Sequence, residues 1–213
     1  MDKNIIWYNE QRIIRTIKSL YEHNMEGHFV ESRKELFEKL EQWIPQGSVI
    51  GVGDSMTLFE TGVIEFFRNG NFSFLDKYRE DLSKDEKRDI YIKNFSADTF
   101  VCSTNAITEK GELFNIDGNG SRVAPMLYGP KQVILVAGVN KLVKNLQEAE
   151  IRVRQYAAPI DAKRLNKATP CTKTGYCVDC KSPGRICNDF VTITGQFVKG
   201  RIKIIIVNER LGY

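Results

Sequence analysis

The chain has 213 residues, 42% of them hydrophobic and 27% charged, enough for a core that needs no covalent staple. Its 31 basic and 27 acidic side chains leave a net charge of +4, interleaved as in RKELFEKLEQ, which argues against a nucleic-acid footprint. No apolar run is long enough to span a bilayer, and charges interrupt the N-terminal apolar residues as no signal peptide allows, so a cytoplasmic protein with reduced thiols is expected.

Helical spacing runs over residues 5–24, with Ile13, Ile17 and Leu20 on one face and Ile14 and Tyr21 beside it. A second helix starts near Ser32, where Ser32 and Glu35 fit a capping box, and Pro45 and Gly47 end it. SVIGVG reads as a short buried strand. The spacing of Phe59, Val63 and Phe66 predicts a helix from Ser55, and another helix is predicted over about 83–95. DTFVCST is strand-like, and NAITEKGELFNI reads as a hairpin turning at Lys110-Gly111. QVILVAG is a continuous apolar strand of the kind buried on both faces of a parallel sheet, with a helix expected from Asn140. FVTITG and RIKIIIVN are the last two strands. Strands alternating with helices predict an α/β fold with a mostly parallel sheet flanked by helices. One domain over 1–213 is expected: a helical extension (1–45), the α/β core (46–165), a cysteine loop (166–190) and terminal strands (191–213).

Ligands of open α/β sheets bind outside the carboxyl ends of the strands. Three segments follow strands here. In GVGDSMT, Gly51 and Gly53 permit close backbone approach, and Ser55 and Thr57 can cap a helix or bind an anion; a tight turn that binds nothing is the equal alternative. Asp54 opposes a phosphate, since a carboxylate repels it. The stretch 103–122 is dense in polar groups: Asn105, Glu109, Asn115, Asp117 and Arg122. Lys141 follows the apolar strand, where its ammonium would face a crevice or simply be solvated. A small anionic metabolite is the expected ligand. His23 and His28 read as surface or packing residues, and Cys102 as core.

Four of the five cysteines lie in CTKTGYCVDCKSPGRIC: Cys171, Cys177, Cys180 and Cys187. A reduced compartment disfavours disulfides, and a redox dithiol would use only Cys177 and Cys180. Four thiolates match the ligand count of a [4Fe–4S] cluster or a Cys₄ zinc site; the single Cys-x-x-Cys pair, where zinc sites often use two, and the nearby Pro183 lean slightly toward iron–sulfur.

The blocks GVGDSMTLFETGV, STNAITEKGELFNIDGNGSRVAPMLYGPKQVILVAGVNKLV and APIDAKRLNKATPCTKTGYCVDCKSPGRICN, in that order, resemble the LUD-domain family of lactate-utilization proteins. The resemblance implies a fold of the sugar-phosphate isomerase and coenzyme A-transferase (NagB/RpiA-like) superfamily. It implies a part in oxidising lactate or a related hydroxy acid alongside redox partner subunits, and it tilts the cysteine loop toward an iron–sulfur cluster serving electron transfer. The alternatives are a sugar-phosphate or acyl-coenzyme A enzyme with structural zinc, or a non-catalytic metabolite-binding subunit. Asn105 matches the position of a proton-moving acid in related isomerases. An amide moves no proton at neutral pH, which leaves Glu109 or Asp117 for that role.

Overall fold

The computed structural model describes residues 2–213. Ten strands form two sheets: β1 (Glu26–Val30), β2 (Val49–Val52), β3 (Ser73–Phe74), β4 (Thr99–Cys102), β5 (Ala106–Thr108), β6 (Leu113–Asp117), β7 (Gln132–Gly138), β8 (Leu142–Val143), β9 (Asp189–Ile193) and β10 (Ile202–Val207). The central sheet has the order β1-β10-β7-β4-β2-β3, and every pairing in it is parallel. The smaller sheet, β8-β5-β6-β9, is mixed. The fold is therefore α/β with a mostly parallel sheet flanked by helices.

The pleat of β7 explains the layering. Val133, Leu135 and Ala137 point into a core shared with Ile13 and Leu20 of the first helix and with Ile107 and Leu113 of the small sheet. Ile134 and Val136 point the other way, into a core built with Leu36, Leu40 and Leu58 from the helices on the opposite face. A strand covered on both sides must be apolar at every position, as QVILVAG is. A third core, on the far side of the small sheet, joins Ala106, Phe114 and Val143 to Ala149, Val153 and Ala157.

The first helix, α1 (Lys3–Glu22), is capped by Asp2, whose carboxylate accepts from the Asn4 and Ile5 N–H groups. Segment 1–45 is more than a helical extension, because β1 lies within it and forms the edge of the central sheet. In α2 (Arg33–Trp43), Ser32 accepts from the Glu35 N–H, but Glu35 reaches back to the Glu31 N–H, so the capping box is only half made. The helix expected from Ser55 is two, α3 (Met56–Glu60) and α4 (Val63–Asn69), divided where Gly62 takes φ +82°. Ser83 and Glu86 complete a full capping box on α5 (Lys84–Lys93). After β7 comes one tight turn, Val139–Lys141, then β8; α6 (Val123–Leu127) precedes them, and the next helix, α7 (Leu146–Arg152), begins only at Leu146.

The hairpin turn at Lys110-Gly111 is where α1 docks on the small sheet. Gly111 has φ +81°, and a Cβ there would lie 2.8 Å from the Ser19 backbone carbon. Left-handed backbone and steric conflict both oppose a side chain. Gly111→Ala is expected to lower unfolding free energy by at least about 1 kcal/mol in chemical denaturation. An unchanged midpoint would mean that α1 does not rest on this turn.

Candidate functional site: a crevice at the strand ends beside a cysteine pocket

In an all-parallel sheet the carboxyl ends of the strands share one edge. Ser55 follows β2, Ser103 follows β4 and Lys141 follows β7, and all three line one crevice of about 510 Å³. Its other walls come from Asp54, Tyr91, Asn105, Asp117, Arg164 and Arg185, among others. This is the size range of small-molecule sites.

Lys141 sits at the buried base, 3% exposed. Its Nζ donates to Thr57 Oγ1 and to Ser103 Oγ, each at 2.9 Å. Burial pushes its pKa down to about 7, helped by the Arg152 and Arg122 charges, while Glu60 acts weakly in the other direction. Thr57 is fully buried and lies beneath the crevice rather than in its wall.

Above it lies a network built on Arg122, which is 7% exposed. One guanidinium nitrogen donates to the Ser103 carbonyl (3.0 Å) and to Asn115 Oδ1 (2.6 Å). The other donates to Asn105 Oδ1 (2.8 Å) and to the Ile116 carbonyl (3.0 Å). Asn105 also accepts from the Ile116 N–H, so its carbonyl oxygen is used in holding the network. Asp117 accepts from the backbone N–H groups of Gly118, Arg122 and Val123, fixing the entry to α6. Asp54 has a partner too: buried Lys77 donates to it at 2.9 Å, so its negative charge is offset. Lys77 is shifted down by burial and partly restored by Asp54.

Of the residues singled out in the sequence, Ser55, Asn105, Asp117 and Lys141 therefore meet in the crevice, with Thr57 directly behind Lys141. Glu109 does not join them. Its carboxylate faces α1, where it accepts from Arg12 (2.8 Å) and Arg15 (3.1 Å). Gly51 and Gly53 serve packing: a Cβ would lie 2.5 Å from Asn94 Oδ1 at Gly51 and 2.7 Å from Cys102 Cβ at Gly53. Cys102 is a core residue, its thiol pushed up to about 12 by burial. His28 packs edge-on against Trp43, its pKa lowered by burial. The sequence reading passed over Ser103, Asp161 and Arg164 as site residues. A serine directly after an apolar strand is a usable signal for Ser103; the other two depend on a remote helix.

That helix is unusual. Between α7 and α8 (Ala158–Arg164) the backbone forms a π-helical turn, Val153–Ala157, in which the Ala158 N–H donates to the carbonyl of Val153. The wide turn precedes Pro159, whose ring would press on the Gln155 carbonyl in a regular helix and which has no N–H to donate. It also brings Asp161 and Arg164 to the crevice.

On the other side of this helix, Cys171, Cys177, Cys180 and Cys187 all line a second pocket, of about 80 Å³. Cys171 is in the short helix α9 (Cys171–Thr174), and none of the four is in a disulfide. The Cys187 thiol is pushed up by burial and by the other three sulfurs. Cys180 is held below the usual thiol value by hydrogen bonds from Ser182 and by Arg185. Among the described residues, no group of three or more His, Cys, Asp or Glu side chains is arranged to hold a metal ion. Ala158, Arg185 and Ile186 line both pockets, so the two cavities share a wall.

A polar crevice at the carboxyl edge of a parallel α/β sheet is the place where open sheets of this class take their ligands. The model of the LUD domain matches residues 13–207, and the chain belongs to that family, which is associated with lactate utilization. A solved structure, that of a DUF162 family protein from Deinococcus radiodurans, is similar over 94% of this chain and 98% of its own, with a TM-score of 0.51 and 10% sequence identity. DUF162 denotes the same family, and at that identity the likeness concerns the fold. No curated protein matches. No helix among the described residues is long and apolar enough to cross a membrane.

Two predictions come from this geometry. Arg122→Lys supplies one ammonium in place of a four-bonded fork and leaves Asn105, Asn115 or a carbonyl without its donor. A stability loss of about 1–3 kcal/mol is expected by denaturant titration; a loss within error would mean water replaces the fork. The second concerns pH. Between about 7 and the ordinary lysine value of 10.5, the unfolded chain keeps a proton that native Lys141 has released. Stability therefore rises with pH across that window, and the full cost of charging the buried amine is present below it. Lys141→Met removes this slope, so the wild type should gain on the variant from pH 7 to 10. Parallel stability profiles would show that the amine is not neutral when buried.

Proposed function

We propose that this LUD-domain protein contributes to the oxidation of lactate or a related hydroxy acid, binding the small anionic metabolite in the crevice and holding a redox centre on Cys171, Cys177, Cys180 and Cys187. The observation that carries this reading is the shared wall: the cysteine pocket and the crevice both touch Ala158, Arg185 and Ile186. A redox centre is useful to a substrate only when close to it.

The residues present fit an iron–sulfur cluster in their chemistry. Four thiols, none oxidised in a pair, bound one small cavity. A cluster takes one thiolate per iron, so its ligands stand around a cavity instead of crowding one ion. Arg185 donates to the Cys180 carbonyl and to Asn188, which in turn donates to the Gly118 carbonyl, tying the loop to the crevice rim. Arg154 and Arg185 line the pocket, and Lys173 and Lys181 are elsewhere in the loop; these cations oppose the negative charge of four thiolates. When bound, the cluster would accept electrons one at a time for a redox partner subunit. In the crevice, Lys167 and Arg164, the latter also bonded to Asp161, supply positive charge for a carboxylate, and Ser55 supplies a donor for a hydroxyl.

Metal analysis and a visible spectrum of anaerobically purified protein test the reading. Iron and sulfide with broad visible absorption are expected, and Cys180→Ser should lose or bleach the chromophore. Zinc without colour would assign the loop a structural role. Neither metal, with all four thiols freely titratable, would sink the proposal.

A further inference from the structure

Lys141 differs from an anion-binding lysine in one respect: its hydrogen-bond partners are two neutral hydroxyls. Thr57 Oγ1 directs its hydrogen to the Leu211 carbonyl at 3.4 Å, and Ser103 Oγ directs its own to the Thr104 carbonyl at 3.3 Å. Both oxygens therefore face Nζ as acceptors. A neutral amine has two N–H groups, and these two acceptors use both. What is left on nitrogen is the lone pair, at the base of a crevice that opens toward solvent. The charged groups around it favour this state. Arg152 donates to the Asn105 and Asn140 carbonyls, and Arg122 to Ser103 and Asn115, so two fixed cations flank the amine. Glu60, the carboxylate that opposes them, is engaged by the Gly212 N–H, and Cys102 is a buried thiol in the adjoining strand.

We propose that Lys141 is a nucleophile that condenses with the carbonyl carbon of a small 2-oxo acid held in the crevice, forming an imine. The inference rests on the crevice taking a small anionic metabolite, as proposed above, and specifies which oxidation state of that metabolite reacts with the chain. The Nζ lone pair forms the new C–N bond while the carbonyl π bond opens onto oxygen. That oxygen takes up one proton from Nζ and a second from solvent and leaves as water, and the C=N bond closes as nitrogen returns its last proton to solvent. No electron is gained or lost, and hydrolysis reverses the step. A desolvated lysine beside other cations is one of the recognised ways to activate an amine at neutral pH. Burial lowers its pKa to about 7, which leaves a large neutral fraction where exposed lysines have almost none.

The test is reductive trapping on the full chain. Protein is incubated with sodium pyruvate at pH 7.5, borohydride is added, and the products are mapped by peptide mass spectrometry; pyruvate binding is followed separately by ligand-observed NMR. Hydride addition to the imine carbon would leave one carboxyethyl group on Lys141, at an occupancy at least ~10-fold above that of any exposed lysine. Lys141→Met should abolish it. If that variant does not fold, Lys141→Arg serves the same purpose, and the wild-type map decides by itself. Pyruvate binding without modification of Lys141, or modification confined to other lysines, would overturn the nucleophile and leave the crevice reading intact. Neither binding nor adduct would overturn both.

Discussion

The guanidinium of Arg122 joins the two sheets. It reaches the end of β4 through the Ser103 carbonyl and the small sheet through Asn115 and Ile116. Planar, rigid and fully charged, it presents its donors in fixed directions, so the four acceptors cannot move independently. Ser103 in turn receives Lys141, and Asn105 lines the crevice. The positions of the groups at the crevice base are thus consequences of one buried cation. Its cost of burial is met by partners on two segments of chain, 103–105 and 115–116, and a buried charge is tolerated only where it is hydrogen-bonded in this way.

The parallel sheet was legible in the sequence because its signal is local. β7 and β10 are apolar runs whose composition alone demands cover on both faces. β1 was not legible: EGHFV contains a glutamate, a glycine and a histidine, and becomes a strand only because β10 lies alongside it. The site divides in the same way. Ser55, Asn105, Asp117 and Lys141 follow or end strands, and strand ends converge by topology. Glu109 stands in the same polar stretch, but its carboxylate turns toward Arg12 and Arg15, partners about a hundred residues away in sequence. Gly51 and Gly53 suggested close approach correctly, but what approaches is Asn94, Cys102 and Arg122. For Lys141 the sequence leaves a crevice-facing ammonium and a solvated lysine on a helix from Asn140 equally open; a tight turn stands in place of that helix, and the side chain is buried at the crevice base.

Two cavities with one wall imply that neither is mechanically isolated. Arg185 and Ile186 belong to the cysteine loop and also line the crevice. Much of this loop is held by polar contacts at the surface, such as those of Asn188, with a partly buried Cys187 against the third core. Anything that draws the four sulfurs inward must carry Arg185 with it, and the electrostatics of the crevice mouth change accordingly.

The π-helical turn at Val153–Ala157 carries a different implication. Such a turn is what remains when one residue is inserted into a helix whose ends are already anchored. One residue is about 100° of helical rotation. Upstream of the turn Ala149 faces the third core, as do Val153 and Ala157 within it; downstream, Asp161 and Arg164 face the crevice. Helical phase, rather than side-chain identity, decides which residues of this segment reach the crevice. A lineage that gained or lost that single residue would exchange the wall of its crevice in one event, with the core on the other side left undisturbed.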